Sequence, residues 1–230
     1  MQNYPHPSRK QDPTALELAI YNFELKAKAY YDKKMKSDNS TELTNKLKAD
    51  YKHLQSEKKR IESIGVAQSY LKKYRVESNQ SDLSTLSKES HHPTKKLATF
   101  LFAIGEPKPT PAHEAHHIIP GKGRFDIRAI LAARLNLHLA GVGINDPFNG
   151  TWLINFLHNK EFDWATPDAP PHRKIHRRNY ETWIGRTLGQ QNNNNKAKFI
   201  NSLRVVKTHI KTGTLPQQIF EPNTELWKGI

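Results

Sequence analysis

Any fold for this 230-residue chain has to house an uneven distribution of histidine. Seven of the twelve, His113, His116, His117, His138, His158, His172 and His176, fall between residues 113 and 176. Cysteine is absent. Disulfide staples, thiolate metal sites and a cysteine nucleophile are thereby excluded, and a metal would have to be held by imidazole, carboxylate or water. His172 and His176 are spaced i, i+4, which on a helix puts both rings on one face where they can share an ion. The segment His172-Arg173-Lys174-Ile175-His176-Arg177-Arg178 is also mostly cationic, so a solvated basic helix edge is the alternative. His116-His117 reads as part of a strand, Ala112 to Ile119, whose adjacent residues point to opposite faces. One ring can then ligate a metal while its neighbour takes a proton from an attacking water. Two partly buried strand histidines without chemistry are the alternative there.

Charge narrows the class of partner. Lys and Arg number 36 against 22 Asp and Glu, for a formal net charge of +14. The excess is spread along the chain: residues 1–110 carry 20 basic and 13 acidic residues, and residues 111–230 carry 16 and 9. Such a chain attracts a polyanion, whether nucleic acid, an anionic surface or an acidic protein. No apolar stretch of signal-peptide type opens the sequence. The longest apolar run, Leu97 to Ile104, is far below the ~20 residues needed to span a bilayer. The expectation is a soluble protein made in the cytoplasm, with no membrane partner.

Apolar spacing divides the chain into a helical front and a mixed back. Asp12-Pro13 opens a helix with Leu16, Ile20, Phe23, Ala27 and Tyr30 in register; Asp38-Asn39-Ser40 is a break; Thr41 caps a second helix ending near Gly65. A third helical stretch runs through Tyr70 and Leu71. Residues 1–76 therefore read as a helical hairpin region, 77–94 as a polar linker and 95–230 as a separate domain. A chain beginning near Pro93 would then fold by itself. Within 95–230 the expected elements are a short helix from Leu97, the histidine strand, a helix over Phe125–Leu139 and a strand at Thr151–Ile154. Two more helices follow, Ile175–Leu188 and Ala197–Ile210, with an Asn192–Asn195 spacer between them. The fold class is mainly α with a small β-hairpin.

The run Ala115-His116-His117-Ile118-Ile119-Pro120 resembles the signature of the AHH nuclease family, within the HNH/endonuclease VII superfamily. The similarity continues in order. Leu97 to Gly105, followed by prolines, is similar to the family's lead-in helix. Ile144-Asn145-Asp146-Pro147-Phe148-Asn149-Gly150-Thr151-Trp152-Leu153 is similar to its central segment. His172-x-x-x-His176 followed by Asn179-Tyr180 resembles its C-terminal histidine pair. About residues 95 to 190 are covered. The resemblance implies a ββα-metal (His-Me finger) core decorated by helices. His117 is then the general base, with Asn149 as the middle residue of the H-N-H triple, holding the hairpin that orients it; these two are the implied catalytic residues. His116, His172 and His176 are the implied ligands of one divalent ion, Mg²⁺ or a transition metal such as Zn²⁺, Mn²⁺ or Ni²⁺. Arg173, Lys174, Arg177 and Arg178 flank the ligands and are expected to meet phosphates. Glu114 and His113 are either orienting neighbours or exposed residues at a strand start, and His91-His92 reads as a coincidence of type.

The function expected from these residues is a metal-dependent endonuclease acting on DNA. The resemblance further implies an antibacterial toxin effector, carried to a rival cell by a type VI-like or contact-dependent secretion machine and neutralised in the producer by an acidic immunity protein. Two alternatives stay open: an RNase on the same scaffold, and a non-catalytic nucleic-acid-binding module with a structural zinc.

Overall fold

The computed structural model describes residues 5–36, 41–190, 195–222 and 227–229. They fall into two compact units, Met1–Ser69 with Ala103–Gly105, and Tyr70–Phe102 with Glu106–Ile230. The first unit is a helical pair. Helix α1 (Ala15–Met35) starts at Thr14, whose hydroxyl accepts from the Glu17 amide while the Glu17 carboxylate reaches back to the Thr14 amide. This reciprocal capping box satisfies two orphan donors at once, so the helix begins two residues beyond the expected Asp12. Helix α2 (Thr41–Gln80) runs antiparallel to it: Lys26 pairs with Glu57 and Lys33 with Asp50, while Tyr30 lies against Tyr51. These ion pairs are exposed and add little; Ala19, Ala27, Leu54, Ile64 and Ala67 supply the buried contacts.

Two expectations change here. α2 does not stop near Gly65 but continues as one 40-residue helix that absorbs the third helical stretch. One interior glycine costs a helix only about 1 kcal/mol, and helix formers on either side outweigh it. The expected break at residues 38–40 lies outside the described residues.

The second unit begins at Tyr70, inside α2, and the polar stretch 77–94 is part of it. Helix α3 (Leu83–Ser87) is capped by Asp82 and buries Leu86. Arg75 forks onto Asp146 at 2.7 and 3.0 Å, and the Glu89 carboxylate accepts from Tyr74 at 2.8 Å and from the Ile144 amide at 3.1 Å. Hydrogen bonds, not apolar periodicity, hold this stretch, which is why its composition reads as a linker. A chain starting at Tyr70 keeps these bonds and one starting at Pro93 loses them. Calorimetry is expected to show a cooperative melt for the first and a broad or absent one for the second. Equal melts would mean that Tyr74, Arg75, Leu86 and Glu89 contribute little.

The rest of this unit is built around one two-stranded antiparallel sheet. β1 (His113–His117) pairs with β2 (Gly150–Ile154), with His117 opposite Gly150 and His116 opposite Thr151. Helix α4 (Lys95–Ala103) lays Leu97 and Leu101 on Ala115 and Trp152. Gly150 makes that approach possible, because a β-carbon there would stand 2.5 Å from a Leu97 methyl. Between the strands, α5 (Ile127–Leu139) buries Ile130, Ala133 and Leu137 in the main core. After them come α6 (His172–Ile175), α7 (Arg178–Ile184), a π-helical turn (Gly185–Gly189) and α8 (Lys196–Lys211). Of the expected Asn192–Asn195 spacer, Asn195 caps α8 and the remainder lies outside the described residues. The fold is mainly helical with a small β-hairpin. No helix among the described residues is long and apolar enough to cross a membrane.

Candidate active site

The two adjacent histidines of β1 diverge, as the pleat requires. His116 turns towards α6 and α7, where its Nε2 lies 3.1 Å from the Tyr180 hydroxyl. That hydroxyl donates to the Ile118 carbonyl at 2.8 Å, so it meets His116 as an acceptor. Nε2 of His116 therefore carries the hydrogen, and its lone pair is on Nδ1. The second ring, His172, has Nδ1 at 2.5 Å from the Glu114 carboxylate. A carboxylate accepts only, so His172 is protonated on Nδ1 and its lone pair is on Nε2. Of the two roles open to Glu114 from the sequence, the structure shows the orienting one.

The third ring arrives by a route with no sequence signal. α6 ends at Ile175, and His176 has φ −74° and ψ 68°, with the Arg177 amide donating to the Ile175 carbonyl at 2.8 Å. This is an inverse γ-turn. His172 and His176 thus do not share a continuous helix. The turn brings their Nε2 atoms to 2.8 Å. Ligand nitrogens of His116, His172 and His176 all lie within 4.8 Å of one another, and among the described residues they form the one such group. Nitrogens bound at ~2.1 Å to one tetrahedral ion would stand about 3.4 Å apart, inside this range. The donor set therefore fits a single ion with a coordination position left open.

His117 faces a different set of atoms. Its Nε2 lies 3.1 Å from the side-chain oxygen of Asn145, and the His91 ring stands edge-on to it at 6.0 Å between centroids. Asn149 is fully buried and bonds only to backbone: its oxygen accepts from the Ile119 amide at 2.8 Å, and its amide donates to the Ile119 and Ile144 carbonyls at 3.2 and 3.0 Å. It fastens the two ends of the loop between the strands.

These groups border one open cleft of about 640 Å³. Glu114, His116, His117, His172 and His176 line it, together with the cations Lys122, Arg124, Arg173 and Arg177. Lys174 and Arg178 do not; Lys174 lies over the Phe220 ring. Arg173 also faces Glu114 at 3.5 Å, and Arg177 donates to the Glu221 carbonyl. His91 and His92, whose pairing in sequence carries no signal of its own, line the same cleft. Lys122 and Arg124 do so too, without any motif to mark them. They sit on a loop whose Arg124, Phe125 and Asp126 amides are gathered by the Glu181 carboxylate at 2.7–2.8 Å. His113 is buried elsewhere, between Thr110 and Asp163.

Burial is the leading cause of low proton affinity in all four histidines. It holds His117 at about 4 against an ordinary 6.5, opposed by the Asn145 hydrogen bond, and His176 at about 4, aided by His172. It holds His116 well below the ordinary value, and His172 lower too despite Glu114. All four are neutral at pH 7, the state needed for ligation and for base chemistry. Because the unfolded chain takes up these protons near 6.5 and the folded one only at lower pH, about 4 for His117 and His176, stability is full above 6.5 and falls as pH drops below it. His117 alone accounts for roughly 3 kcal/mol of that loss, at about 1.4 kcal/mol per pH unit. Thermal melts of metal-free protein are expected to fall steeply between pH 6.5 and 4.5 and to stay flat from 7 to 8. A flat profile through the acid range would contradict the burial argument.

Residues 98–211 match the AHH family, a nuclease family of the HNH/ENDO VII superfamily with conserved AHH. No curated protein and no solved structure matches the chain.

Proposed function

Because the chain belongs to the AHH nuclease family of the HNH/ENDO VII superfamily, we propose that its cleft hydrolyses phosphodiester bonds of DNA as a metal-dependent endonuclease. The observation that carries this reading is the convergence of His116, His172 and His176 beside a fourth neutral imidazole, His117, that is engaged elsewhere. A divalent ion held by the three would supply Lewis-acid stabilisation of the charge that develops on the phosphate. Three imidazole nitrogens suit Zn²⁺, Ni²⁺ or another transition ion better than Mg²⁺, which prefers oxygen. An open coordination position also supports a catalytic ion over a structural zinc, which takes four protein ligands.

With Nε2 engaged by Asn145, His117 has Nδ1 to accept the proton of the attacking water. The water oxygen forms the new P–O bond, the P–O3′ bond breaks, and the departing alkoxide is protonated from solvent. Arg173, Arg177, Lys122 and Arg124 hold the flanking phosphates. Purified protein is expected to nick supercoiled plasmid, to stop when EDTA is added and to recover with Zn²⁺, Ni²⁺ or Mn²⁺. Cutting of total RNA with plasmid left intact would move the substrate to RNA. No cutting of either with any of these metals would remove the enzymatic reading.

The cleft cations make a further expectation. Arg173→Ala with Arg177→Ala should weaken binding to unrelated duplex sequences alike. The slope of log affinity against log salt should become shallower by about 0.9 for each phosphate that is no longer neutralised. An unchanged slope would make these arginines a solvated face.

The biological setting we infer is an antibacterial effector delivered by a secretion-machine carrier and restrained by an immunity protein. The family resemblance supports it, and the +14 charge suits an acidic inhibitor seated over the cleft. Expression in a bacterial host should be toxic for the native chain and harmless for His117→Ala; equal growth would remove the toxin role.

A further inference from the structure

We propose that Glu89, which lies outside the matched residues 98–211, is a positioning residue for the base: acting through Asn145, it fixes which nitrogen of His117 carries the hydrogen. The inference rests on the reading of His117 as the base.

The argument is one of donors and acceptors. The Asn145 side-chain amide donates to the Glu89 carboxylate at 2.8 Å and to the Ser90 carbonyl at 2.9 Å. Both partners accept only, so both amide hydrogens are committed. Asn145 cannot turn its amide over without placing its oxygen against two acceptors. Its oxygen is therefore held towards His117 at 3.1 Å, and a carbonyl-type oxygen requires the facing nitrogen to donate. His117 is thereby set as the Nε2–H tautomer, with its lone pair on Nδ1.

Glu89 is itself fixed. Tyr74 donates to one of its oxygens and accepts from the Asn145 backbone amide at 3.1 Å, the Ile144 amide donates to the same oxygen, and Lys96 donates to the other. The carboxylate thus receives four donors, from α2, α4 and the segment before β2. A surface ion pair alone would not need such a set. Without Glu89 only the Ser90 carbonyl holds the Asn145 amide, so the reversed amide becomes populated; it puts N–H against Nε2 and drives the hydrogen to Nδ1, removing the lone pair that the water must meet.

The test joins a spectroscopic and a kinetic readout. In uniformly ¹⁵N-labelled, metal-free protein at pH 7.5, the imidazole nitrogen shifts of His117, assigned by their loss in His117→Ala, should report the Nε2–H form. Glu89→Ala should shift His117 towards the Nδ1–H form and lower kcat on a labelled DNA duplex, or on labelled RNA if that is what the chain cuts. The expected loss is about 10–100-fold, with KM changed little. Glu89→Gln keeps one acceptor oxygen for Asn145 but sets its NH2 against the Tyr74 and Ile144 donors, so it should restore the native tautomer and recover part of kcat. Should Glu89→Ala fail to fold, Glu89→Met keeps the volume without an acceptor oxygen and takes its place. A folded variant with native tautomer and kcat overturns the proposal while His117 stands as base. Wild-type cleavage by a folded His117→Ala overturns both.

Discussion

His117→Ala is expected to lower cleavage by about 10²–10⁴-fold, the range that a positioned general base contributes, while metal affinity and fold persist. The separation of effects follows from the pleat of β1. The His117 ring leaves the strand on the side opposite His116 and bonds to Asn145, and it is absent from the group of convergent ligand nitrogens. Truncating it leaves the Asn145 oxygen without its donor. An unsatisfied buried acceptor costs about 1–3 kcal/mol, which a chain with the main core described above should survive. Calorimetric titration with Zn²⁺ should give the native affinity, and the melt should stay cooperative. Cleavage near the wild-type rate by such a folded, metal-binding variant would remove His117 from the chemistry. Loss of metal binding along with activity would instead make His117 a ligand, contrary to the divergence of the two rings.

The parts of the molecule that are legible in the sequence are those that one local period describes. The run Ala112–Ile119 before Pro120 reads as a strand, and the structure has one at His113–His117. Spacing over Phe125–Leu139 points to α5, whose cap, Asp126, trims the start to Ile127. The coarse class, helical with one small hairpin, is readable for the same reason. What is not readable has no period. Glu89 and Tyr74 reach Asn145 across 56 and 71 residues, and a Ser- and Asn-rich stretch that binds by hydrogen bonds gives no apolar signal of being packed. His91 and His92 lie in the cleft because residues 89–90 are tied to Asn145, so nothing local distinguishes them from any other histidine pair. The His176 turn is the sharpest case. A four-residue spacing suggests one helix face, yet the rings meet because the helix ends between them. The spacing points to two rings that do converge, but for a geometric reason that the structure does not use.

That turn makes His172 and His176 the severest test of the metal site. His172→Ala and His176→Ala are each expected to lose activity and metal-dependent stabilisation together. Binding to the folded state alone adds RT ln(1 + [L]/Kd), about 2.7 kcal/mol at a hundredfold excess over Kd. For a chain of this size that raises Tm by about 5–10 °C, at roughly 2–4 °C per kcal/mol. Wild-type protein should show this rise with Zn²⁺ and lose it in EDTA, and either alanine variant should melt at the same temperature with and without the ion. In the metal-free protein His176 Nε2–H can donate to the His172 Nε2 lone pair at 2.8 Å, so either alanine variant loses one hydrogen bond, worth about 1 kcal/mol, and is expected to melt only slightly below metal-free wild type. Glu114→Gln separates ligation from orientation. It removes the carboxylate that fixes Nδ1–H of His172 but leaves all three ligands, so affinity should fall by about 10–100-fold without vanishing. If titration calorimetry returns the native affinity for both alanine variants, the ion is held elsewhere, and the convergence of the three imidazoles is only a packing arrangement at the edge of the cleft.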